Sequence, residues 1–151
     1  MDAQTEPSYK IVVPYRGNRT IRRLIAIGGY DYVDGRLSDE CFPQDWEGDE
    51  QVVIELVTLV NVRSVIDVVE AFDRRPGLRL ANVAELLTLG ANQPQLQTEH
   101  PIVQVEQIWK GQHRMALLIC LDCLDGKRRV EVLPSTSKVQ GETCKFAAVN
   151  K

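Results

Sequence analysis

Histidine is nearly missing from this sequence: His100 and His113 are the only two in 151 residues. Nucleophilic hydrolysis needs a Ser or Cys held by a His that a carboxylate orients. His100 precedes a proline and His113 falls in an expected turn, so neither position suits a triad, and no GxSxG occurs. Phosphate-cradling glycine motifs are missing too, since Ile27-Gly-Gly-Tyr follows an expected helix and neither GxGxxG nor GxxxxGK is present. The longest apolar stretches, around Leu56–Val60 and Met115–Leu121, fall far short of the roughly 20 residues a membrane-spanning helix needs. No charged-then-apolar leader opens the chain, so the expected location is the cytoplasm.

Cysteine is also scarce, at four residues. Without a secretory leader these are expected to be reduced thiols and not a disulfide framework. Cys120-Leu-Asp-Cys123 is the one CxxC, but Met115-Ala-Leu-Leu-Ile-Cys-Leu-Asp-Cys reads as a strand, in which positions three apart point to opposite faces. A zinc site would need a second pair of soft ligands, and only Cys41, Cys144, His100 and His113 remain. No metal and no cofactor are expected.

What is present describes one globular domain over residues 1–151, with 44% hydrophobic residues, 26% charged residues and a net charge of −3. A chain of this length buries roughly 70% of the surface it exposes when unfolded, enough for a core without metal or disulfide. The charge is uneven. Residues 1–75 hold 14 acidic against 9 basic side chains, whereas residues 76–151 hold 7 against 9. Within Asp31–Glu50, eight carboxylates face only Arg36, a segment that repels phosphate and reads as a solvated loop, with a cation site or basic partner as the alternative.

Residues 1–8 hold Pro7 and read as a frayed tail, and Tyr9–Tyr15 as a short strand stopped by Pro14. Thr20 or Asn18 caps a helix over Ile21–Ile27 that Gly28 stops, leaving Arg19, Arg22 and Arg23 outward. Tyr30–Glu50 reads as a long loop anchored by Tyr30, Tyr32, Phe42 and Trp46. The β-branched run Gln51–Val60 predicts a central strand covered on both faces. Asn61 caps a helix over Val62–Arg74, Leu78–Ala81 is a connector, and Asn82 caps a second helix that Gly90 stops. Beyond Pro101 the pattern turns to strands: Ile102–Trp109, Arg114–Cys123, Arg128–Leu133 and Cys144–Val149, with Asp125-Gly126 as a hairpin turn. The fold class is α+β: a mostly antiparallel sheet ending in a C-terminal meander, with two or three helices packed on one face.

Leu24-Ile-Ala, Gly29-Tyr-Asp-Tyr-Val, Cys41-Phe-Pro, Val53-Ile-Glu-Leu-Val, the run Gly77–Gly90, Pro94-Gln-Leu-Gln, His100-Pro-Ile-Val and Phe146-Ala-Ala-Val-Asn-Lys follow one another over most of the chain. In that order they resemble a group of short bacterial proteins of unknown function. The resemblance implies a shared length and order, and carries no activity, cofactor or catalytic residue. Such proteins often have an aromatic-rich segment before the last strand, where this chain has Leu133-Pro-Ser-Thr-Ser-Lys.

With no reactive trio in view, the expected function is a non-catalytic binding or protein-interaction module. An exposed patch at Tyr30, Tyr32 and Trp46 would be its contact surface, although the plainer role of these rings is to pin the loop. Self-association into a homodimer is a second expectation, through edges left by Tyr9–Val13 and the terminal strand. The alternative is a nucleic-acid accessory protein gripping phosphates with Arg19, Arg22, Arg23, Lys127, Arg128 and Arg129, which requires them on one face. A further alternative, a small hydrolase-like enzyme, requires a deep cleft holding His113 or paired carboxylates.

Overall fold

The computed structural model describes residues 3–13, 20–38, 42, 51–110, 112–139 and 143–150, with side chains at all of them except 3–7, 108–110 and 113–115. Its elements are β1 (Ala3–Val12), α1 (Ile21–Gly28), β2 (Tyr32–Val33), β3 (Gln51–Leu59), α2 (Val65–Asp73), β4 (Leu78–Leu80), α3 (Val83–Asn92), α4 (Leu96–Glu99), β5 (Ile102–Lys110), β6 (His113–Leu124), β7 (Lys127–Pro134) and β8 (Lys145–Asn150). None of the helices is long and apolar enough to cross a membrane.

The strands form one sheet in the order β1-β3-β8-β5-β6-β7-β2. Pairing is antiparallel except between β5 and β8 and between β2 and β7. One edge of β8 pairs with β3, while the other is shared by β5 at Lys145 and Phe146 and by β4 at Ala148–Asn150. The terminal strand, expected at an edge, is therefore interior. The β6–β7 hairpin turns at Asp125 (φ 51°) and Gly126 (φ 76°), where left-handed backbone at both central residues matches the twist of the strands.

Alternation along the strands gives the sheet two faces. The first face takes Ile54, Ile102, Ile119, Leu121, Val130, Val132, Ala147 and Val149, and packs against residues of α1, α3 and α4. The second takes Val57, Leu59, Val103, Val105, Leu118, Cys120, Phe146 and Ala148, and packs against α2. Among the described residues three helices thus share one face, and α2 is the one helix on the other. β3 is the covered interior strand that its β-branched run implies.

Local chemistry accounts for the helix ends. Thr20 Oγ1 accepts from the Arg23 amide (3.1 Å), and Gly29, one residue past the expected stop, ends α1 with φ 62°. Asn82 and Glu85 form a reciprocal capping box on α3. α2 starts later than expected: Ser64, not Asn61, caps it through the Asp67 amide (3.2 Å), and Asn61 sits at φ 60°, turning the chain out of β3. Gly90 does not stop α3 but lies buried inside it, and α3 is buried from Val83 to Gly90, Glu85 and Thr88 included, because α1 and the sheet enclose it. Residues 3–8, expected as tail, form the first half of β1, with a register shift between Thr5 and Ser8 around Pro7. The connector Leu78–Leu80 is strand β4.

Candidate functional site

Tyr30 and Tyr32, the aromatic residues proposed as a patch, separate. The Tyr30 hydroxyl donates to the Leu87 carbonyl (2.8 Å), and its ring fills the space beside Gly28 and Gly90, where an added Cβ would collide with it. Arg128 stacks on that ring at 4.6 Å from the centroid. Its guanidinium donates to the Gly28 carbonyl (2.9 Å) and the Gly90 carbonyl (2.7 Å), joining the C-terminal ends of α1 and α3. A cation between two helix C-termini is electrostatically favourable, and a planar fork can serve both carbonyls at once. Burial lifts the Tyr30 hydroxyl pKa well above the usual phenol value, and the Arg128 charge pulls against it. Tyr30 is a pin within the first face. Tyr32, by contrast, is 52% exposed on the sheet's edge strand. Trp46 lies outside the described residues.

The basic residues are likewise divided. Arg129 grips Asp122 with two bonds of 2.9 Å and reaches Glu131 at 3.5 Å on the second face, whereas its neighbour Arg128 serves the first face. The two guanidiniums expected to grip phosphate together are thus engaged within the fold, on opposite sides of β7. Arg22, Arg23 and Lys127 are exposed, and Arg19 lies outside the described residues.

Among the described residues the thiols and carboxylates do not assemble into reactive groups. Cys120 is buried, and burial together with the nearby Asp122 and Glu131 raises its pKa far above the usual thiol value; burial also pushes Cys144 up to about 11. Thiols so poised stay protonated and unreactive at neutral pH. Glu131 is raised by burial and by its hydrogen bond with Asp122, and Arg129 offsets part of this. Among the described residues no three His, Cys, Asp or Glu side chains converge as metal ligands. His100 is exposed just after α4, and the side chain of His113 lies outside the described set, as do Cys41 and most of the acidic 31–50 segment.

A second buried polar cluster fixes the start of α3. Arg79 makes a two-bond pair with Glu85 (2.8 Å each), which is fully buried, and Glu106 accepts from the Val83 amide (3.3 Å) and from Gln104 (3.1 Å). Burial raises the Glu106 pKa, with these hydrogen bonds opposing it and the Glu85 charge adding to it. The carboxylates already hold the helix start, so the cluster is structural.

Open space lies on the second face. A groove of about 880 Å3 runs beside α2, lined by Arg63, Val65, Ile66, Val69 and Glu70, by Gln107 and Ala116 of the β5–β6 hairpin, and by Ser135–Lys138. Val69 and Gln107 also line a space of about 200 Å3 at the other end of α2, with Phe72, Asp73, Leu78, Leu80 and Val105, so the two form one groove along that flank. On the opposite flank a cavity of about 470 Å3 lies between Leu59–Val62 and the stripe Asp67, Glu70, Ala71, Arg74. Among the described residues the exposed large apolar side chains are Val12, Ile27, Tyr32, Val60, Ile66 and Leu124. Strand parity, α2 and the cavity lining place all but Ile27 on the second side.

One signal for this surface was in the sequence. At about 100° per residue, Val65, Ile66, Val68, Val69, Ala71 and Phe72 cover well over half the circumference of α2, more than one packing face consumes. Val65, Val68 and Phe72 are buried, while Ile66 is 68% exposed.

No family model, no curated protein and no solved structure matches the chain. The geometry offers an apolar, polar-rimmed groove in which, among the described residues, no nucleophile, base and oxyanion donor converge.

Proposed function

We propose that the chain is a non-catalytic protein-interaction module whose contact surface is the second face of the sheet, centred on the groove beside α2. The observation that carries this reading is unequal cover. Seven strands side by side span roughly 30 Å at about 4.8 Å per spacing, and among the described residues one helix about 10 Å wide roofs about a third of that, with Val62, Val139 and Cys144 adding to its cover. Val12, Tyr32, Val60, Ile66 and Leu124 are exposed on this side, and an apolar groove with a polar rim is the mark of a contact site. Tyr32, at the far edge of the same face, extends it.

The test is a selection of displayed peptides against the wild type and against Ile66→Glu, with amide shift mapping of the binders. Binders that shift Val69, Gln107 and Ala116 and fail on Ile66→Glu support the reading. Binders that converge instead on Arg22, Arg23 and Lys127 overturn it. The nucleic-acid alternative keeps those three exposed cations; salt-sensitive retention of an RNA or DNA oligonucleotide, lost in Arg22→Glu/Arg23→Glu, would replace the module reading.

A further inference from the structure

We infer that the occupant of the groove is an amphipathic helix of a partner protein, laid alongside α2 as a second helix of the same layer, with acidic side chains at one end and basic side chains at the other. This rests on the interaction-module reading and adds the partner's class to it.

Three features of the groove select this occupant. The first is shape: its floor is the pleated face of β5 and β6 and its wall is a helix, the surroundings that α3 has on the first face beside α1. A helix packs on a sheet at about 10 Å, the same layer depth that α2 occupies. The second is the apolar lining. Ile66 and Val69 lie three apart on α2 and face Ala116 across the groove, matching the i, i+3, i+4 anchors of a helix laid in a hydrophobic channel.

The third is charge. Arg63 and Lys138 stand exposed at the end where α2 begins, and the Val139 amide bonded to the Arg63 carbonyl (2.9 Å) holds that loop against it. Glu70 lies midway, and Asp73 closes the far end. Arg79 also lines the far end, but Glu85 engages its guanidinium. Among the described lining residues of the groove the charge therefore runs from positive at Arg63 and Lys138 to negative at Asp73, while Asp67, Arg74 and Arg75 line the opposite flank of α2. A ligand of one sign meets repulsion at one end, whereas an apolar stripe with opposite charges at its ends is matched throughout.

The probes are three fluorescent 14-residue helical peptides with leucines at i, i+3, i+4 and i+7. One carries glutamates in one terminal turn and lysines in the other, one has acidic ends only, and one basic ends only. A fourth has the mixed-end composition with prolines that forbid a helix. Binding is read by anisotropy, location by amide shifts, and self-association by sedimentation of the free protein. The expected result is that the mixed-end helix binds roughly tenfold tighter than either single-sign helix. Its shifts should centre on Val69, Gln107 and Ala116. Ile66→Glu, a change at an exposed position, should weaken it about tenfold or more. In Arg63→Glu/Lys138→Glu, where both ends of the groove are acidic, the basic-ended helix should overtake it.

Equal affinity for all three helices, or an order that the double charge reversal leaves unchanged, overturns the inference. Equal or tighter binding of the proline peptide on the same residues overturns the helix while the interaction surface stands. Dimerisation of the free protein that protects Ile66 and Val69 gives the groove to a second copy and overturns a partner helix. Absence of groove shifts with every peptide, in a protein that stays monomeric, overturns both the inference and the module reading beneath it.

Discussion

Ile119 and Leu121 of β6 project into a face closed by three helices, while Leu118 and Cys120, their immediate neighbours, project into a face where α2 is the one helix among the described residues. The same strand thus serves two unlike environments. On the first face the helices are joined to one another as well as to the sheet, through the Arg128 fork and the Tyr30 hydroxyl. On the second, α2 touches the sheet through Val65, Val68 and Phe72 and leaves Ile66 in water. Two kinds of apolar residue follow: those buried between helix and sheet, and those, such as Ile66, left exposed.

Truncation should separate the two kinds most sharply. Leu87→Ala, at a fully buried position of α3, should cost about 3 kcal/mol in denaturant unfolding, whereas Ile66→Ala should stay within about 0.5 kcal/mol. A cost near 2 kcal/mol for Ile66→Ala would mean that the second face is closed as well.

The next effect probes the seam of the closed face. Gly90→Ala pushes a methyl into the Tyr30 ring and against Leu121, and should cost about 1–3 kcal/mol. In a Tyr30→Ala background the same change should cost much less; full additivity would show that the ring is not what Gly90 accommodates. Arg128→Lys replaces a two-armed fork by one ammonium, which can serve the Gly28 or the Gly90 carbonyl but not both. A loss of about 1–2 kcal/mol is expected, and undiminished stability would remove the clamp from the account.

The smallest effect is in pH. The folded pKa values of Glu106 and Glu131 lie above their ordinary values, chiefly through burial. Protonation is favoured in the folded state, so their contribution is full below the unfolded carboxylate pKa and is lost as pH rises through the folded values. Asp34, held down at about 2 by Arg36, works in the other direction, and its contribution fades only below its ordinary pKa, near 3.8. Stability should therefore fall modestly as pH rises from about 4.5 toward neutrality. Glu106→Gln should flatten that slope and raise the melting temperature at pH 7; a steeper slope would contradict the sign.

Local signals in the chain were legible. Asp125-Gly126 marked its hairpin, Asn82 and Thr20 marked their helix starts, and the β-branched run of β3 marked an interior strand. What escaped depends on distant partners. Arg128 looked like a surface cation because its partners, Gly28 and Gly90, lie 100 and 38 residues away. β4 has only three residues and exists because β8 offers it an edge. The amphipathic pattern of α2 says that it has a buried side but not which face of the sheet receives it, since that depends on the crossover. The terminal strand looked free because nothing near it in sequence is its partner, and it proved to be an interior strand between β3 and β5. The open groove shares that origin: its walls come from residues 63–70, 107, 116 and 135–138, and only the surplus apolar arc of α2 hinted at it.

Residue-resolved carbene footprinting of the free monomer tests the unequal cover most directly. The account predicts strong labelling at Ile66 and Val69, with Leu86, Leu87 and Ile119 protected. Protection of Ile66 and Val69 equal to that of the α3 leucines would contradict it.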